Sequence, residues 1–251
     1  MYISLDELPP LTEGYVQKKH QETLESKTLY EFKLIRQMPT DFLSYGMMAT
    51  LFALTLWVGF GVADLPFFNV LIVLVFPAII CFHAYYANDP DIEQTVRLTE
   101  KGIIVTEITL LPDFFYTFLR YSGFLGIGIG VVAVLILGPW ALVGPGAGIL
   151  IAFKMARAEN IPNVKVYPFN PNLNYKNEIF DFTFKNGLKD RAISPLINIG
   201  IESNERWDLY SKHDNYYSVF YAADEEQQAE FMSHLEKIIN IVELDEETTL
   251  N

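Results

Sequence analysis

The side chains able to do chemistry in this 251-residue chain are few and scattered. His213 beside Asp214 offers an acid–base pair, since an imidazole that titrates near neutrality can exchange a proton with a carboxylate. The two are adjacent in a polar stretch between a Trp/Tyr-rich run and a Tyr-rich run, however, and that setting reads as a turn. Ser194 stands before Pro195 with no base at a spacing that would activate it. His20, His83 and His234 are isolated from one another, and the single cysteine, Cys81, excludes both a disulfide framework and a Cys-ligated zinc site. No Gly-x-Ser-x-Gly elbow, Gly-x4-Gly-Lys-Ser/Thr loop or His-Glu-x-x-His pair occurs. No catalytic residue, cofactor site or metal site is therefore assigned. Gly126-Ile127-Gly128-Ile129-Gly130 has the look of a phosphate loop, yet it lies in an uncharged apolar run where a phosphate would be unwelcome. Small residues four apart, Gly126 with Gly130 and Gly144 with Gly148, instead let helices approach closely, either within the chain or at an oligomer interface.

The elements that carry these residues follow from where charge is missing. Phe42 to Ala63, Leu65 to Asn88 and Tyr121 to Phe153 contain no Lys, Arg, Asp or Glu. The first two match the ~20 apolar residues needed to cross a bilayer and are joined by a tight link at Asp64-Leu65-Pro66. The third turns at Gly138-Pro139-Trp140, and Lys154 and Arg157 follow it. Lys18, Lys19, Lys27, Lys33 and Arg36 precede the first run, and Arg97, Lys101 and Arg120 lie between the second and third, so the positive-inside rule sets both termini on the cytoplasmic side of a bacterial membrane. The expectation is an integral membrane α-helical protein of two helical hairpins, about four spans, with the lipid bilayer as a partner; the limbs of the third run, roughly 16 residues each, are short for a span, so a re-entrant or shallow second hairpin is the alternative. Of ionisable side chains in these runs only His83 is a transport candidate, and it stands near a span end, which argues against coupled transport. A net charge of −13 without any basic stripe argues against nucleic acid.

The remaining residues read as a cytoplasmic α+β domain, mainly antiparallel β. Thr95 to Thr99 and Ile103 to Thr109 flank Glu100-Lys101-Gly102 as a hairpin. In Glu178 to Phe184 the aromatics Phe180, Phe182 and Phe184 alternate with Asp181 and Thr183 before the turn Lys185-Asn186-Gly187. Pro195 to Ile201, Arg206 to Tyr210 and Tyr216 to Tyr221 read as further strands, while Thr23 to Gln37 fits strand or helix. Asp224 with Gln227 has capping-box spacing, and Phe231, Leu235, Ile238 and Val242 then share one helical face, so Phe231, Leu235 and Ile238 are expected to dock a terminal helix on the sheet. The segments are 1–41, an N-terminal cytoplasmic part; 42–88, the first hairpin; 89–113, a β-hairpin region; 114–157, the Gly-rich hairpin; 158–242, the β-rich domain with its helix; and 243–251, an acidic tail.

Two apolar spans followed by Val96-Arg97-Leu98-Thr99-Glu100-Lys101-Gly102-Ile103-Ile104-Val105, with Tyr216 to Ile239 as a last strand and closing helix, resemble bacterial membrane-anchored pleckstrin-homology-like proteins. The resemblance implies a membrane-tethered β-domain of barrel topology and carries no catalytic residues. Two function classes follow. The first is a non-enzymatic membrane protein whose cytoplasmic domain binds a protein partner or senses the membrane surface, in a bacterial accessory, defence or immunity role. The second is a homo-oligomeric channel or membrane-perturbing effector built on the Gly-rich hairpin.

Overall fold

The computed structural model describes residues 2–39, 42–58, 90–138, 146–200 and 204–242. They divide into two compact units, Met1–Met38 with Ile92–Ile108 and Pro162–Asn251, and Pro39–Asp91 with Thr109–Ile161.

The first unit is mixed α/β. Its elements are β1 (Ile3–Ser4), α1 (Glu13–Leu24), β2 (Thr28–Arg36), β3 (Ile92–Thr99), β4 (Gly102–Thr109), β5 (Asn163–Pro168), β6 (Asn174–Thr183), β7 (Lys189–Pro195), β8 (Ile197–Asn198), α5 (Asn204–Tyr217), β9 (Val219–Ala223), α6 (Glu225–Leu235) and β10 (Asn240–Ile241). The strands form a four-stranded sheet ordered β2-β3-β4-β5, a second ordered β10-β6-β7-β9, and the pair β1-β8. Alternation sets the faces: Phe32 and Leu34 of β2 and Val96 and Leu98 of β3 are buried in turn, and they meet Ile103, Val105, Tyr175, Ile193, Val219 and Tyr221 in a single core. Gln94, fully buried, ties the two large sheets together, because its Oε1 accepts from Ala222 N–H at 2.8 Å on the edge of β9. The β3–β4 turn closes on Thr99, whose hydroxyl donates to Gly102 C=O at 2.8 Å and accepts from Gly102 N–H at 3.1 Å. No side chain fits at residue 102, where an added Cβ would sit 2.9 Å from Pro168 Cα.

α6 begins with the capping box that its sequence spells, Asp224 accepting from Gln227 N–H. Phe231 and Leu235 are buried, and Phe231 meets Phe32 edge-on at 5.8 Å. The helix stops at Leu235 rather than running to Val242: Ile238 is half-buried in the turn that follows, and β10 then pairs in parallel with the start of β6. Arg206 to Tyr210, expected as a strand, is part of α5. The aromatic residues suggested β, but Arg206, Tyr210, His213, Asp214 and Tyr217 fall on one helical face and are the residues that helix turns inward. The His213-Asp214 turn is accordingly also helix.

In the second unit α2 (Phe42–Leu56), α3 (Asp113–Leu137) and α4 (Gly146–Ala156) are helical. α3 and α4 pack on each other. The expectation of a helical membrane protein with four spans is corrected here. Among the described residues one helix, Asp113–Ile136, is long and apolar enough to cross a membrane, and the rest of the described fold is mixed α/β with several sheets. Among the described residues α4 has 11, or roughly 16 Å of helix, about half of what a span needs. The second expected span, Leu65 to Asn88, with the links at Asp64 and at Pro139-Trp140, lies outside the described residues. Of the barrel that the pleckstrin-homology-like resemblance implies, the described strands show two four-stranded sheets and a two-stranded pair rather than one continuous sheet.

Candidate functional site

The β10-β6-β7-β9 sheet buries one face in the core and presents the other to α5. Register places Lys176 opposite Ser194, and Glu178 beside Ala192 and Phe220, on that second face. Three ties hold α5 over it. Arg206 forks onto Asp6, 3.2 Å to Oδ1 and 3.0 Å to Oδ2, and its Nε donates to Ile199 C=O at 2.7 Å. The buried His213 ring lies between two backbone carbonyls, Leu209 O at 2.9 Å and Pro9 O at 3.1 Å. Tyr217 OH meets Tyr15 OH at 3.3 Å. Each tie fastens the N-terminal residues to α5, and pairing of Ile3 with Ile197 sets Tyr2 beside the helix.

Between helix and sheet these residues leave a pocket of about 150 Å³ lined by Tyr2, Lys176, Glu178, Ser194, Tyr210 and Asp214, with Pro195 to Ile197 at its floor. Glu178 is fully engaged: Lys176 Nζ lies 2.6 Å from Oε1, and Ser194 Oγ donates to Oε2 at 2.8 Å. Asp214 is not. Its Oδ1 accepts from Ser218 Oγ at 3.2 Å, and Oδ2 has no hydrogen-bond partner among the described residues. Burial pushes the Asp214 carboxyl above its usual range, against the Ser218 hydrogen bond; the charge of Glu178 adds to the rise and that of Lys176 opposes it. Burial likewise raises the Tyr210 phenol. One cation thus faces two carboxylates. Next to the pocket, beyond Glu178 on the same strand, Phe180 stacks with Phe220 at 6.1 Å, and both rings are exposed. A second pocket, of about 240 Å³, pairs Lys19 and Lys101 with Glu22 and Glu100, so its formal charges cancel.

Of the residues that the sequence singled out, Ser194 and Asp214 line this pocket, without the acid–base or nucleophilic partner that chemistry would need. Ser194 donates to Glu178 and both His213 ring nitrogens meet backbone carbonyls, so these two residues do not form a nucleophile–base pair. Among the described residues no group of three or more His, Cys, Asp or Glu side chains could hold a metal. Gly126 lies on α3 against α4, where an added Cβ would meet Ala152 Cβ at 3.0 Å. Gly130 is buried in α3, Gly148 belongs to α4, and Gly144 lies outside the described residues. The tightest approach is at Gly123, which was not singled out: an added Cβ there would meet Ala152 O at 2.6 Å and Ala156 Cα at 2.8 Å. Its signal was the small residue three before Gly126, facing Ala152 and Ala156 four apart. Phe231 and Leu235 are core residues of the first unit. The pocket itself was missed. Lys176, Glu178 and Phe180 at alternate positions were its strand signal, and the helical spacing of Tyr210 and Asp214 its helix signal.

The comparisons point to the class. A model of the TsiV2 immunity protein family matches residues 17–251, and the chain belongs to that family. It is similar to Immunity protein TsiV2 of Vibrio cholerae serotype O1, 39% identical over 70 residues, an alignment spanning 28% of this chain and 29% of the relative. No solved structure matches it.

Proposed function

We propose that the chain confers immunity by binding a toxin protein, and that the first unit supplies the recognition surface. Membership of an immunity protein family carries the reading. The fold supports it: the face of the β10-β6-β7-β9 sheet under α5 holds a pocket with an excess of negative charge and a stacked, exposed aromatic pair, features suited to orienting and anchoring a protein partner. On this reading the residues of the site bind and do no chemistry. The test is survival of a strain deleted for the gene when challenged by its toxin-producing parent. Expression of the chain restores survival, and the toxin that kills the deletion strain co-purifies with it. Full expression without protection would overturn the reading.

A further inference from the structure

The pocket under α5 has a chemistry more specific than partner binding. Its lining carries one more carboxylate than cation: both oxygens of Glu178 are taken by Lys176 and Ser194, while Asp214, half-buried on the helix side of the same pocket, has one oxygen bonded to Ser218 and no other hydrogen-bond partner among the described residues. Tyr2 and Tyr210 line it with rings and phenol groups, and the adjoining Phe180–Phe220 stack offers apolar surface for the stem of a long side chain. We propose that this pocket receives a cationic side chain of the partner protein, arginine by preference, whose guanidinium pairs with Asp214 and lies against the tyrosine rings. Arginine fits better than lysine because a planar fork stacks on aromatic rings while it donates to a carboxylate. The first unit's remaining charges favour the approach, since the chain is acidic overall and a positively charged partner is drawn to it. The lysine-bearing pocket at Lys19 and Lys101 offers no such excess.

This inference rests on the toxin-binding reading for its partner but not for its chemistry, and the two are separated by a two-armed experiment. In the first arm the purified full chain, carbon-13-labelled at Asp and Tyr, is titrated with N-acetyl-arginine methylamide and with its uncharged citrulline counterpart while Asp214 and Tyr210 resonances are followed. The arginine compound shifts both saturably, the citrulline compound leaves them in place, and Asp214→Asn removes the response. Equal shifts from both compounds, or none from either, overturn the proposal. In the second arm Asp214→Asn, Glu178→Gln and, as a control outside the pocket, Glu225→Gln are compared in the challenge assay. The two pocket variants lose protection at least tenfold at equal protein level, and the control does not. Full protection by Asp214→Asn where the wild type protects overturns the proposal and leaves toxin binding standing; failure of the wild type to protect overturns toxin binding, while the titration still decides the pocket.

Discussion

Two glycines five residues apart on α3 should respond to the same substitution with opposite signs. At Gly128 no described residue lies within 4 Å of an added Cβ, so Gly128→Ala removes the conformational freedom that glycine gives the unfolded chain, stabilising by about 0.5–1 kcal/mol. At Gly123 the same gain applies, but the new methyl group would sit 2.6 Å from Ala152 O and 2.8 Å from Ala156 Cα. These are backbone atoms of α4 and cannot rotate aside. Separating the helices enough to admit the methyl group carries the overpacking cost of about 1–3 kcal/mol. Because the helix-propensity gain is common to both, the difference between the variants isolates the contact, and about 1–3 kcal/mol should separate them. Urea unfolding of the full chain followed by far-ultraviolet circular dichroism, compared between the two variants and the parent, reads this difference. If Gly123→Ala were as stabilising as Gly128→Ala, α3 and α4 would not approach here, and the close-packing account would be wrong.

Three further outcomes are expected. Leu235→Ala should cost about 2–5 kcal/mol because its side chain is fully buried, whereas Ile238→Ala, in the half-exposed turn, should cost much less; denaturant melts of the two variants check this. Glu107 lies between Arg36 and Lys165, each at 2.8 Å; burial works to raise its carboxyl, but the Lys165 hydrogen bond and both positive charges outweigh it and hold the group below the usual range. Its stabilisation is therefore present above the ordinary carboxylate pKa and lost as pH falls through the depressed value, and Glu107→Gln should cost about 1–3 kcal/mol at neutral pH and nothing in strong acid, as pH-dependent melts would show. Asp214 has the opposite sign. Its raised carboxyl favours the protonated form, so stability falls as pH rises through its folded value, and Asp214→Asn should be more stable than the parent at pH ~7 and no different in acid, which a pair of thermal melts decides.

How much of this was legible in the sequence depended on whether a pattern was local. The β3–β4 hairpin follows from Glu100-Lys101-Gly102 between β-rich runs, and the α6 cap from Asp224 and Gln227, because both signals are complete within a few residues. α5 was misread since Trp207 and Tyr210 favour strands one residue at a time, while the face made by Arg206, Tyr210, His213, Asp214 and Tyr217 is defined only by what packs on it: Asp6, Pro9, Tyr15 and Ser218. The runs without charge showed where apolar helices lie and were long enough in sum for four spans, but whether each run forms one continuous helix depends on packing that composition does not carry, and the described residues hold one helix of spanning length. Of the pocket, Glu178 and Asp214 come from segments 36 residues apart, and their meeting across one space is a tertiary fact with no local trace.

The measurement that tests the account most directly is titration calorimetry of the purified chain with the toxin that kills the deletion strain. A saturable, stoichiometric complex, weakened at least tenfold by Asp214→Asn and strengthened at low salt, is the predicted result. Protection of cells with no complex detectable at micromolar concentrations would contradict it.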